Sequence, residues 1–207
     1  MVAVCFSNGR TTIDIGIFIY EGAEVLDFAG PFEVFSTASR LDKQAGINVI
    51  LISEVDQLVP ARYGFTVKPN FTIDQHPKLD LLLIPGGVHT KELEKKPVIN
   101  WIKEQATTVP NIASVCTGAF LLAEAGLLKG RTVTTHWEDI PELRQTYPDI
   151  TVSEGVRWLE DGSITTSAGI SAGIDMSLAI VRKHFGIDLA RRTARQMEYD
   201  WVEKADS

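Results

Sequence analysis

The chain has 207 residues, 44% of them apolar, and a formal net charge of −7. This length suits one domain, 1–207, able to bury a core without staples, and the composition is that of an ordinary soluble globular protein. The negative balance excludes the basic footprint of a nucleic-acid binder, and no apolar run is long enough for a membrane span, so small molecules or proteins are the expected partners.

Residues 1–9 carry neither the basic start nor the apolar stretch of a signal peptide, which points to the cytoplasm. Residues 12–20 (TIDIGIFIY) are β-branched and continuously apolar after Asp14, as expected of a strand buried on both faces. Gly30-Pro31 predicts a helix over 31–41 with Pro31 at its first position, leaving Asp27 in the preceding loop; a start near Gly22 is the alternative. A second strand is expected over 47–53 and an antiparallel element within 59–72. A third strand, 79–84, stops at Pro85-Gly86-Gly87. Helix 97–107, strand 112–115, helix 118–128, strand 132–135 and helix 138–147 follow. An antiparallel element is expected within 152–162, where Asp161-Gly162 is a hairpin turn signal; strand 164–167 and helix 172–185 come next. Strands alternating with helices of this length predict an α/β sandwich of three layers, mostly parallel, with helices on both faces. In such sheets the ligand crevice lies off the carboxyl ends of the strands.

The chemistry-bearing residues fall at those ends. Cys116 follows strand 112–115 and precedes a helix, where free N–H groups and the helix dipole would favour the thiolate; a small buried hydrophobe is the plain alternative. Cys5 lies in a segment that reads as loose and is the weaker candidate. Two cysteines and four scattered histidines give no disulfide framework and no zinc spacing. Neither metal nor cofactor is expected. Gly86 and Gly87 could turn backbone N–H groups toward an oxyanion. Asp27, between Leu26 and Phe28, would hold its proton more readily than a solvated carboxyl, which suits proton shuttling beside a thiol; Glu33 is expected to face outward. His136 follows strand 132–135 and could orient a thiolate or a substrate. Glu138 makes a His-x-Glu triplet, too close in the chain to Cys116 to serve as an amidotransferase pair. Residues 167–175 lack the lysine and spacing of a phosphate loop, and close helix packing is the better reading, with the backbone at Gly169 and Ile170 lining the pocket. Arg191, Arg192 and Arg195 read as one solvated helix face.

Together, Leu26-Asp27-Phe28-Ala29-Gly30-Pro31, Ile84-Pro85-Gly86-Gly87, Ser114-Val115-Cys116-Thr117-Gly118, Thr134-Thr135-His136-Trp137 and the 168–175 segment resemble the DJ-1/PfpI superfamily over about 13–201. The resemblance implies a flavodoxin-like sandwich, a homodimer, and a nucleophilic cysteine at a strand-to-helix elbow, here Cys116, with its acid partner at Asp27. Threonine stands at 117 where protease-like members carry histidine. Aspartate stands at 27 where the glyoxalases carry glutamate. Phe120 and Leu121 stand where amidotransferases carry a glutamine.

Asp27, Cys116-Thr117 and Thr135-His136-Trp137 are similar to the isonitrile hydratase branch, which implies Cys116, Asp27 and Thr117 as catalytic residues and an N-substituted formamide as product. Gly86, Gly87, His136, Gly169 and Ile170 would then bind the substrate or an oxyanion. The alternatives are a glyoxalase-like enzyme acting on aldehydes, or a ligand- or redox-sensing module related to the sensor half of AraC-type regulators, whose DNA-binding domain is not expected here.

Overall fold

A computed structural model of the chain describes residues 12–203, so Cys5 lies outside the described residues. Its strands are β1 (Ile13–Phe18), β2 (Ile47–Ser53), β3 (Val59–Pro60), β4 (Thr66–Val67), β5 (Phe71–Thr72), β6 (Leu81–Ile84), β7 (Asn111–Val115), β8 (Thr132–Val133), β9 (Thr151–Val152), β10 (Trp158–Asp161) and β11 (Ile164–Ser167). Its helices are α1 (Val25–Leu41), α2 (Thr90–Leu93), α3 (Lys96–Gln105), α4 (Gly118–Glu124), α5 (Ile140–Thr146), α6 (Ala172–Phe185) and α7 (Ile187–Gln196).

The central sheet runs in the order β10-β11-β7-β6-β1-β2-β5. All its pairings are parallel except β10 with β11. That exception is the hairpin read from Asp161-Gly162, and Gly162 takes the left-handed φ of 66° the turn requires. Helices α1, α6 and α7 pack together as one layer and α2, α3 and α4 as another, giving the flavodoxin-like three-layer sandwich. Every residue of β6 is buried, as are four of the five in β7, which explains why neither strand alternates: β6 is an unbroken apolar run, and β7 carries Ser114 within a buried stretch. Phe18, Phe35 and Phe120 are among the largest side chains sealed in the core.

The register sets three strand ends level. Ile84 of β6 lies opposite Ser114 of β7, and Ser167 of β11 opposite Val115. Pro85-Gly86-Gly87, Cys116 and Ala168-Gly169-Ile170 therefore leave the sheet side by side at one carboxyl edge, the place expected for a crevice.

Three local expectations need correction. Helix α1 starts at Val25, nearer the alternative start by Gly22 than Pro31, so Pro31 lies inside it and Asp27 sits in its first turn rather than in a loop. The cause is tertiary: Ala23 bridges Gly87, and Glu24 N–H bonds Gly86 O at 2.9 Å, fixing the chain just ahead of the helix. Strand 132–135 does not join the central sheet; β8 pairs with β9 in a separate two-stranded ribbon. In the 59–72 segment β3 and β4 do pair antiparallel, but β5 adds to the edge of the main sheet, parallel to β2. Among the described residues no helix is long and apolar enough to cross a membrane.

Candidate active site

Cys116 occupies the bend between β7 and α4 with φ of 55°, a left-handed conformation that costs a non-glycine residue about 1–3 kcal/mol and collects at functional sites. Its backbone is over-determined: the N–H bonds Ser167 O at 3.2 Å, and the carbonyl accepts the Thr135 hydroxyl at 2.8 Å. Close approach is possible because Gly118 has no side chain; a Cβ there would lie 2.2 Å from Ile84 O. Gly86 is equally constrained, since its Cβ would meet Thr117 N at 2.5 Å.

Asp27 reaches this bend from α1. Its side chain is fully buried, and Oδ2 accepts the Gly86 N–H at 3.0 Å. Oδ1 has no hydrogen-bond partner of its own, and the Cys116 thiol is within the carboxyl's reach. Burial, aided by the nearby Glu24 charge, pushes the Asp27 carboxyl from 3.8 up to about 7, against the opposing pull of the Gly86 N–H, the thiol and the Ile170 N–H.

The thiol itself departs from expectation. Burial first, and the Asp27 charge second, raise Cys116 well above the ordinary thiol value, against the N–H groups of Thr117 and Ile170. Desolvation outweighs the favourable end of the short helix α4, so above about pH 7 the sulfur is still protonated while Asp27 is ionised. The neighbouring carboxyl is the group placed to accept its proton.

The glycine pair also behaves differently from the reading as free oxyanion donors. Gly86 N–H is taken by Asp27, and Gly87 N–H by Thr117 Oγ1 at 2.9 Å. The Thr117 hydroxyl in turn donates to Gly87 O at 3.1 Å, so this side chain clamps the elbow to the loop after β6. The backbone N–H groups that face the sulfur are those of Thr117 and Ile170. Ile170, at φ of 53°, is another left-handed non-glycine residue.

Cys116, Thr117, Gly87, His136 and Ile170 line one cavity of about 420 Å³. Gly169 supports it from behind, since a Cβ at that position would fall 2.0 Å from the His136 ring. His136 Nδ1 lies 3.1 Å from Asp139 Oδ2 and only 4.0 Å from Glu138, whose side chain is largely exposed. Glu33 faces outward and pairs with Arg40 at 3.0 Å. Four further residues of the cavity escaped the sequence: Glu24, Arg62, His89 and Asp139. Glu24 and Arg62 form an ion pair at 3.5 Å across two loops, and nothing local marked either. His89, two residues past Gly87, carried the one usable signal, its nearness to a strand end.

The DJ-1/PfpI family matches residues 14–183. The chain belongs to this family. It is 34% identical over 196 residues to the isonitrile hydratase of Pseudomonas putida, covering 94% of this chain and 82% of that one. It is also 24% identical over 195 residues to the HTH-type transcriptional regulator GbdR of Pseudomonas aeruginosa, covering 94% of this chain but 53% of the regulator, about half its length. A crystal structure of a ThiJ/PfpI family protein from Pseudomonas syringae superposes with a TM-score of 0.82 at 26% identity, over 91% of this chain and 76% of that one. Drosophila melanogaster DJ-1beta shares the fold, with a TM-score of 0.79 at 19% identity over 92% of this chain and all of that one.

Proposed function

We propose that the protein is a cysteine-dependent hydratase that adds water to an isonitrile. The carrying observation is the buried Asp27 carboxyl, poised at about 7, set against the Cys116 thiol at the edge of an open cavity. The 34% identity to an isonitrile hydratase supports the choice of substrate.

The thiol proton passes to Asp27, and the sulfur bonds to the terminal carbon of R–N≡C. The Asp27 proton then moves to that carbon, giving the thioimidate R–N=CH–S–Cys116. Water adds across the C=N bond, oxygen to carbon and one hydrogen to nitrogen. The C–S bond breaks as the hydroxyl proton goes to Asp27, releasing R–NH–CHO and restoring the thiolate–acid pair. Two covalent steps replace one difficult hydration. The amides of Thr117 and Ile170 face the developing charge, and the Thr117 hydroxyl holds Gly87 rather than the substrate. The reaction as written needs no cofactor.

The same reading takes the protein as a cytoplasmic homodimer acting on small molecules.

The purified protein is expected to convert cyclohexyl isocyanide to its formamide, and Cys116→Ala to be inactive. Lactate from methylglyoxal without any formamide would replace this reading with the glyoxalase-like one. The regulator relatives favour a second reading, a ligand-sensing module, which inactivity toward both substrates together with saturable ligand binding would support.

A further inference from the structure

A second cavity, of about 160 Å³, opens between the end of β1, the segment after β2, and α2. It shares no lining residue with the catalytic cavity. Its lining brings together apolar Leu58 and Val59, three carboxylates, Glu21, Glu54 and Glu92, and a single cation, Lys95.

Glu92 is the unusual member, 2% exposed. Its Oε1 receives Lys95 Nζ at 2.6 Å, while Oε2 is buried without any hydrogen-bond partner. Lys95 is already divided, its Nζ lying 2.9 Å from Glu54 Oε2. Glu21 has only Lys91, 3.9 Å away on the solvent side. A buried carboxylate oxygen without a donor costs about 1–3 kcal/mol, or more when charged, which is why such atoms are rarely left alone. Burial raises the Glu92 carboxyl above its ordinary value, in keeping with a charge short of counter-charge.

The missing partner has a definite chemistry. It must donate N–H or O–H to Glu92 Oε2, bring positive charge into a site where carboxylates outnumber cations, and present hydrocarbon to the apolar part of the lining. A hard metal ion fits less well, since among the described residues no group of three or more His, Cys, Asp or Glu side chains is placed to hold one. We propose that this cavity binds a small aliphatic ammonium ion, its head on Glu92 Oε2 and its chain against Leu58 and Val59.

Calorimetric titration of the wild-type protein with n-butylammonium chloride at constant ionic strength is expected to show saturable binding at one site. 1-Butanol, which has the chain but not the charge, should bind at least tenfold more weakly. Glu92→Gln should weaken butylammonium at least tenfold, and the partly exposed Glu54→Gln severalfold. Cys116→Ala, in the other cavity, should bind it unchanged. If Glu92→Gln does not fold, Glu54→Gln and the butanol comparison decide. The proposal is overturned if wild-type protein shows no saturable binding, if butanol binds equally well, if folded Glu92→Gln or Glu54→Gln keeps full affinity, or if Cys116→Ala loses it. None of these readouts requires hydratase activity, so this inference and the catalytic reading fail separately.

Discussion

Asp27 accepts the Gly86 N–H at 3.0 Å while its carboxyl lies against the Cys116 thiol, so the first turn of α1 and the elbow after β7 share one proton. Asp27→Asn keeps an oxygen for the Gly86 N–H and removes the proton carrier. Turnover of cyclohexyl isocyanide should fall by about 10²–10⁴-fold with the fold intact, the range for losing a general acid–base group. In the wild type the carboxylate that takes the thiol proton forms as pH rises through about 7, so kcat/KM should rise through that pH. Turnover unchanged in Asp27→Asn would remove this residue from the mechanism.

The same substitution has a signed effect on stability. The folded-state value of Asp27, about 7, stands above its ordinary 3.8, so the folded protein holds this proton more tightly than the unfolded chain. That contribution is fully present below the unfolded value and is lost as pH rises through about 7. Between pH 5 and pH 8 the ionisation of Asp27 should remove of order 3 kcal/mol, by linkage. Asparagine escapes this loss, so the Tm advantage of Asp27→Asn over wild type should widen from pH 5 to pH 8. A difference constant across that range, followed by circular dichroism, would contradict the burial argument.

The Asp27 charge also raises the thiol, which makes the reagent reactivity of Cys116 a reporter of the pair. At pH 8, where wild-type Asp27 is ionised, alkylation of Cys116 by iodoacetamide should be slower than that of a free thiol. Asp27→Asn removes the repelling charge and should speed it severalfold. Mass spectrometry of the peptide containing Cys116 separates this signal from Cys5. Equal rates in the two proteins would mean that the carboxyl and the sulfur do not sense one another.

Much of this arrangement was legible because it is local. The apolar runs of β1 after Asp14 and of β6 named buried strands, and the small residues just after β6, β7 and β11 named the edge where a site forms. Position alone placed Cys116, Gly87, His136 and Ile170 around one cavity. What the sequence did not disclose was set by distant contacts. Pro31 reads as a helix start, but the bridge from Ala23 to Gly87 begins α1 earlier and carries Asp27 onto it. The helix dipole predicted a thiolate, but the burial and the carboxylate that oppose it come from other elements. The pairing of Glu24 with Arg62 depends on two loops meeting, and no pattern along the chain encodes that.

The left-handed bend at Cys116 can be tested apart from its chemistry. Alanine and glycine at 116 both lack the sulfur and should both be inactive, but only alanine must strain to hold φ of 55°. A left-handed alanine costs about 1–2 kcal/mol relative to an unstrained residue, and the entropic cost of glycine offsets part of that gain. Cys116→Gly should therefore be at least as stable as Cys116→Ala in urea denaturation. A clearly less stable glycine variant would show that the elbow is not strained.

Asp175 tests how the far end of the chain is secured to the layer that carries Asp27. It is fully buried in the first turn of α6, where Oδ2 accepts Arg157 Nε at 2.6 Å and the Tyr199 hydroxyl at 3.2 Å, and Oδ1 accepts the Val202 N–H at 3.0 Å. Asp175→Ala deletes all three bonds at once and leaves the Arg157 charge facing an apolar void. Removing one member of a buried ion pair typically costs about 3–5 kcal/mol. Because Arg157 keeps some contact with water, with 29% of its side chain exposed, the expected loss is at the lower end, about 3 kcal/mol. Asp175→Asn keeps acceptor and shape but not charge and should lose less. Protection of the 199–202 amides from hydrogen exchange should fall in both variants, more steeply in alanine. Unaltered protection in Asp175→Ala would mean that the terminal segment is held by its apolar contacts and not by this carboxylate.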